Sequence, residues 1–175
     1  LENEQSVNYS KNLLFDRFEP FSMSIWLNIL EPAANGIILG TVMNGMIDGY
    51  RGYCVQLNPD RTLSVIFAHS YPANGIEMKS TDKIPAGKWK HLTLTYDGSS
   101  SSAGISVYAD GRRLGLSVLN DRLERSLLYT FGENYLLKNQ QAFRIGSRIQ
   151  ASIKGVAVDE FRAYNRVLSR AEIQY

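Results

Sequence analysis

The chain has 175 residues, 44% hydrophobic and 21% charged, and its 19 basic and 17 acidic side chains leave a formal net charge of +2. That length suits one domain spanning residues 1–175 with a buried core. The charge balance offers no basic stripe for nucleic acid, no apolar run approaches the roughly 20 residues of a membrane-spanning helix, and the single cysteine, Cys54, rules out an internal disulfide.

The chain opens on a polar stretch, LENEQSVNYS, with no signal peptide, and reads as a piece of a longer protein. Asn8-Tyr9-Ser10 is its one glycosylation sequon, relevant only in a eukaryotic host. From Phe21 the dominant period is two. In FSMSIWLNI, Phe21, Met23, Ile25, Leu27 and Ile29 share one face, and Ser22, Ser24, Trp26 and Asn28 share the other. Trp26 on the polar face is either a stacking platform or is covered by a loop.

Further strands are predicted over Gly36–Val42, Gly52–Leu57, Thr62–Ala68, Gly75–Ser80, Lys88–Tyr96, Gly104–Ala109, Ala142–Ser147 and Gly155–Tyr164. Cys54, between apolar neighbours in GYCVQL, reads as a small buried hydrophobe. In KWKHLTLTY, Leu92, Leu94 and Tyr96 face the core, while Trp89, His91, Thr93 and Thr95 face away. DGSSSSAG reads as a solvated loop and Asp110-Gly111 as a tight hairpin turn. Asn120–Phe131 has mixed periodicity with room for a helical turn. The terminal LSRAEIQY starts a helix, with Ser169 and Glu172 at capping-box spacing. Short strands separated by Gly, Pro, Asn and Asp define an all-β sandwich or barrel.

Five stretches, FSMSIWLNI, GKWKHLTLTYDGS, ISVYADGRRL, FRIGS and KGVAVDEFRAYNRVLSRAEI, occur in the order of a laminin-G-like domain. From about Phe21 to the end the chain resembles this family, whose fold is the concanavalin A-like lectin/glucanase jelly roll. The resemblance implies a two-sheet antiparallel sandwich. YRGYCVQL and FAHSYPANGIEMKS further resemble the domain carried by multidomain proteins of the planctomycete cytochrome-c type, which implies an extracytoplasmic accessory domain within a larger parent. Many domains of the family bind one calcium ion, and the acids at loops or strand ends are Asp16, Asp48, Asp97 and Asp159. No Asp-x-Asp-x-Asp loop is present, and Asp97 in TYDGS suits a cap for its own turn.

Glucanases of this jelly roll place paired carboxylates in a Glu-x-Asp pattern on one strand face, about 5 Å apart in a retaining mechanism. No Glu-x-Asp occurs here, and Asp159-Glu160 are adjacent, so on a regular strand they face opposite ways. His69 and His91, the only histidines, lack metal-ligand spacing. Two loops, NGMIDGYRGY and AHSYPANG, hold the aromatic and planar polar groups that sugar rings require. Their ligand-binding candidates are Tyr50, Arg51, Tyr53, His69, Tyr71 and Asn74, with Arg148 from a later segment. The expected function is a non-catalytic module for a glycan or cell-surface ligand. The alternatives are a structural domain packed on its parent chain and a diverged hydrolase.

Overall fold

A computed structural model describes residues 7–9, 13–42, 49–129, 141–148 and 151–174, with the side chains of 7–9, 148 and 151 excepted. In chain order the strands are β1 (Val7–Tyr9), β2 (Phe21–Ile29), β3 (Gly36–Gly40), β4 (Gly52–Leu57), β5 (Leu63–Ser70), β6 (Asn74–Ser80) and β7 (Trp89–Tyr96). They continue with β8 (Ile105–Ala109), β9 (Arg112–Arg113), β10 (Leu116–Asp121), β11 (Phe143–Ile145), β12 (Ser147–Arg148), β13 (Ala151–Ser152) and β14 (Val156–Tyr164). A four-residue helix, α1 (Arg170–Ile173), follows.

Among the described residues the strands build two main antiparallel sheets. The larger runs β1-β11-β3-β4-β5-β6-β10 and the smaller β14-β2-β7-β8-β9, with β12 and β13 forming a separate ribbon. This is the antiparallel jelly-roll sandwich that the resemblance implies, with the short C-terminal helix that the Ser169–Glu172 spacing predicts. Each sheet turns its alternate, apolar side chains inward. Phe21, Met23, Ile25, Leu27 and Ile29 of β2 are at most 2% exposed. Tyr53, Val55 and Leu57 of β4 meet them from the other sheet, as do Leu63, Val65 and Phe67 of β5. Phe21 sits at the centre of an aromatic layer, its ring centroid 4.7 Å from Phe15, 4.9 Å from Tyr53, 5.8 Å from Phe67 and 5.6 Å from Tyr96.

The β8–β9 turn has Asp110 and Gly111 at φ 50° and 73°, the paired positive values of a type I′ hairpin. The serine run departs from its solvated expectation. Ser102 is buried, its amide and hydroxyl both bonded to the Asp121 carboxylate (3.0 and 2.6 Å) at the end of β10. β10 itself falls outside the predicted strands, and residues 122–129 form no helix. The alternation of β10 is broken by a register shift between Val118 and Asn120, which explains why that strand was not read.

The outward residues of β2 are also covered at its start. Ser22 Oγ donates to Arg166 O (2.9 Å) and accepts from Leu168 N–H (3.0 Å), tying the C-terminal segment across the small sheet. The capping box ends that segment: Glu172 N–H donates to Ser169 Oγ and Ser169 N–H to the Glu172 carboxylate.

Leu94 is 3% exposed and registered between Met23 and Val107. Leu94→Ala is expected to cost about 2–5 kcal/mol in urea unfolding, and a loss below about 1 kcal/mol would contradict its inward placement. The cap carries a pH signature. The Arg166 guanidinium, then the Ser169 amide and hydroxyl, hold the Glu172 carboxyl at about 2, below its ordinary 4.5. Its contribution is therefore complete above pH 4.5 and lost as pH falls through about 2. Amide exchange at Ser169 should accelerate over that window, and Glu172→Gln should abolish the pH dependence.

Candidate functional site

Because Tyr53, Val55 and Leu57 point inward, Cys54 and Gln56 of β4 must point outward. On the neighbouring strands Ser64, Ile66 and Glu77 do the same. Register places Cys54 beside Ile66 and Ile66 beside Glu77, with Gln56 beside Ser64. Ile37, Val42, Cys54 and Ile66 pack as a small apolar cluster separate from the main core. This cluster floors a cleft of about 500 Å³ on the outer face of the large sheet.

Tyr50 and Tyr71 stand at one end of that cleft. They arrive together because the start of β4 pairs with the end of β5, and Tyr71 N–H donates to Gly49 O (2.6 Å). Tyr50 sits at φ 60°, a left-handed turn following Gly49 at 64°. Their rings meet edge to face at 5.9 Å and 84°. Tyr71 Oη donates to Glu77 Oε2 (2.8 Å). That hydrogen bond, then desolvation and the Glu77 charge, pushes the phenol up to about 12. At the other end Asn58 Nδ2 donates to Thr62 Oγ1 (3.0 Å) and Ser64 Oγ (2.9 Å), and Gln56 lies beside it. The cleft thus offers aromatic edges, an apolar floor and planar amides and a carboxylate on its walls.

Of the seven ligand candidates, the structure brings Tyr50 and Tyr71 together in this cleft. Tyr53 is removed from the set: it is fully buried, its hydroxyl donates to Leu13 O, and burial raises its pKa. It shares a face with Val55 and Leu57, the alternation that should have placed it in the core. His69 is 6% exposed, its Nδ1 donating to Ser126 O (2.7 Å) and its Nε2 accepting from Arg51 (3.0 Å). Since a carbonyl only accepts and a guanidinium only donates, this geometry fixes the Nδ1–H tautomer. Arg51 also lies over the Tyr129 ring, 4.2 Å from its centroid. Asn74 Oδ1 accepts from the Glu124 and Arg125 amides, both at 3.2 Å. These three clamp residues 122–129 against the large sheet and do not line the cleft. Arg148 is a β12 residue whose side chain lies outside the described residues.

Among the described cleft residues that the sequence did not single out are Gln56, Asn58, Ser64, Ile66 and Glu77. For Gln56, Ser64 and Glu77 the only signal is polarity at alternate positions inside otherwise buried strands. Of the acids, Asp16 accepts from the Leu127 and Arg17 amides and the Ser126 hydroxyl, all at 2.7 Å. Asp97 caps its own turn through Ser99 N–H (2.9 Å), as expected, and Asp159 accepts from Glu160 N–H (2.7 Å). Asp48 lies outside the described residues. Among the described residues no three His, Cys, Asp or Glu side chains gather as an ion's ligands.

The two antiparallel sheets and their strand order define a concanavalin A-like jelly roll. The chain belongs to the concanavalin A-like lectin/glucanases superfamily, whose laminin-G-type family profile matches residues 1–174. No curated protein matches it in sequence. Among solved structures it is similar to Trypanosoma rangeli sialidase at 22% identity and TM-score 0.58, over 89% of this chain and 22% of that one. It spans about a fifth of that enzyme's length. A Bacteroides ovatus protein described as carbohydrate-binding gives TM-score 0.62 at 16% identity, over 97% of this chain and 43% of that one. The CBM40 of Ruminococcus gnavus IT-sialidase, bound to α2,3-sialyllactose, gives 0.63 at 10% identity, over 98% and 95%. At these identities the likeness is one of fold.

The Tyr71–Glu77 bond is directly testable. Its contribution is present below the phenol's ordinary 10 and lost as pH rises through about 12. In ultraviolet titration, Tyr71→Phe should remove one tyrosinate step at about 12, and Glu77→Gln should bring that step back toward 10.

Proposed function

We propose that the chain is a non-catalytic glycan-binding module of a larger extracytoplasmic protein, with the ligand seated in the outer-face cleft of the large sheet. The observation that carries this reading is the combination of Tyr50 and Tyr71 with the Ile37–Cys54–Ile66 floor and the Gln56, Asn58 and Glu77 side chains. A saturated sugar ring presents C–H faces to aromatic and apolar surface and hydroxyls to planar polar groups. The similar folds of a carbohydrate-binding protein and of CBM40 support the ligand class. The extracytoplasmic placement, and the parent's other domains as partners, rest on the resemblance to planctomycete cytochrome-c-type proteins.

The chemistry of the acidic groups supports a non-catalytic role. Glu77 is the one carboxylate among the described residues lining the cleft, whereas glycoside hydrolysis commonly uses two. Tyr71, raised to about 12, is a poor nucleophile at neutral pH. Glu172, on the opposite face, sits at about 2 and stays ionised, so it cannot donate a proton.

One observation favours a second reading, a domain that packs against its own parent. The edge strand β10 exposes Val118 (52%) and Leu119 (58%) side by side.

A glycan array run with calcium and with chelator tests both. The expected result is a response confined to one glycan class, weakened at least tenfold, about 1.4 kcal/mol, by Tyr71→Ala. A calcium-dependent response would assign the ion to the glycan site. A flat response across all sugars would sink the glycan reading in favour of the packing domain.

A further inference from the structure

The outer face of the small sheet holds a second cleft, of about 430 Å³, that shares no residue with the first. Register explains its shape. On β2 and β7, Trp26 lies beside His91 and Ser24 beside Thr93, so two large rings stand next to two short hydroxyl side chains. The Trp26 and His91 rings are 5.2 Å apart and tilted by 42°. Across the cleft stand Tyr164 and Leu168 of the C-terminal segment, which the Ser22 hydrogen bonds hold in place. The result is a trough with a hydroxyl-lined floor and an aromatic wall.

The floor contains an atom without a partner. Thr93 is 1% exposed and its Oγ1 makes no hydrogen bond. Two residues beyond Trp26 on the same strand face, Asn28 Oδ1 is likewise buried and unpaired. Such groups cost stability and call for a reason. We propose that this face is a second ligand site, which stacks a neutral pyranose ring on the Trp26 indole and completes the hydrogen bonding of Thr93 Oγ1 with a sugar hydroxyl.

The ligand class follows from the walls. Two rings tilted at 42° do not form the parallel slot that a flat aromatic base requires, whereas a half-buried indole lining the cleft suits the C–H face of a saturated ring. The rim charges cancel. Glu160 is paired with Arg162 (2.9 Å) and Glu172 with Arg166 (2.6 Å), which leaves no excess charge to recruit an ionic ligand. Glu160, at φ 45° in the bulge between Asp159 and Arg162, is turned into this rim by the irregularity of β14. The His91 imidazole, its pKa lowered first by desolvation and then by Arg162, remains a neutral ring at physiological pH. Because the two clefts lie on opposite faces of the sandwich, two glycan strands could be held at once, with the gain in avidity that bivalence gives.

The test is an NMR titration following the Trp26 indole N–H, assigned with Trp89→Phe. The probes are methyl glucoside, methyl galactoside and methyl mannoside, with N-acetylneuraminic acid and adenosine as the charged and flat alternatives. At least one methyl glycoside should shift the Trp26 signal saturably, in the unaltered chain and equally in Tyr71→Ala. Thr93→Val should weaken that binding at least tenfold, and Trp26→Ala should do the same when the titration is followed by the β2 and β7 backbone amides in place of the indole. Thr93→Val should at the same time raise the melting temperature by about 2–4 °C, since a methyl replaces an unpaired hydroxyl. No saturable shift with any glycoside would overturn the proposal. So would a shift that vanishes in Tyr71→Ala, one that survives Thr93→Val undiminished, or one produced only by N-acetylneuraminic acid or adenosine. The Tyr71→Ala arm separates this site from the large-sheet cleft, so either can fail alone.

Discussion

The two-residue alternation of β4 and β5 around a shared aromatic layer governs the arrangement of this molecule. Tyr53 and Phe67 are both fully buried and both in ring contact with Phe21 of the opposite sheet. With those rings committed inward, Cys54 and Ile66 have no choice but to face out, and they become the floor of the cleft. A slip of one residue in either strand would send an aromatic ring into solvent and erase the floor together with the core. Core packing and site formation are two sides of one register.

The same aromatic layer controls the chain around it through its hydroxyls. Burying a phenol demands a partner for its O–H, and Tyr53 and Tyr96 both find theirs in the segment that precedes β2, at the Leu13 and Arg17 carbonyls. Ser100 N–H donates in turn to Tyr96 Oη (2.8 Å), which draws in the serine loop. Between those two carbonyls, Asp16 binds Ser126 and the Leu127 amide. Three stretches far apart in sequence are thereby fastened to one end of the sandwich. The carboxylate oxygens of Asp16 are occupied by this fastening, which accounts for an acid that looks available in the sequence but serves as a staple.

Much of the fold was legible because period-two patterning is a local property. Gly52–Leu57 was readable as printed, and so were the Asp110-Gly111 hairpin and the Ser169–Glu172 cap. β1, β13 and β10 were not: the first two are only three and two residues long, and the third is interrupted by a bulge. The site was legible only where it lies on loops. Tyr50 and Tyr71 stood out as aromatic turn residues. Gln56, Ser64 and Glu77 resembled an ordinary solvated strand face, because nothing local says that β4, β5 and β6 lie side by side in one sheet. Tyr53 went wrong for the converse reason: it is the second residue of a strand but was counted with the loop before it. His69 and Arg51 were chosen for their chemistry, and it is spent on each other and on Ser126.

The contrast between satisfied and unsatisfied polar groups bears on where function lies. Ser22, buried on the outward face of β2, has both a donor and an acceptor partner in the C-terminal segment. Ser80 is buried at the end of β6, and its hydroxyl both accepts from Leu63 N–H (2.9 Å) and donates to Asp82 O (2.7 Å). Thr93 sits one row from Ser22 in the same sheet, within reach of the same covering segment, yet its hydroxyl is unpaired. A valine would fill that space with nearly the same shape and without the desolvation cost of about 1–3 kcal/mol. Set against the paired hydroxyls of Ser22 and Ser80, a retained unpaired one on the floor of an aromatic-walled trough is better explained by what binds there than by packing.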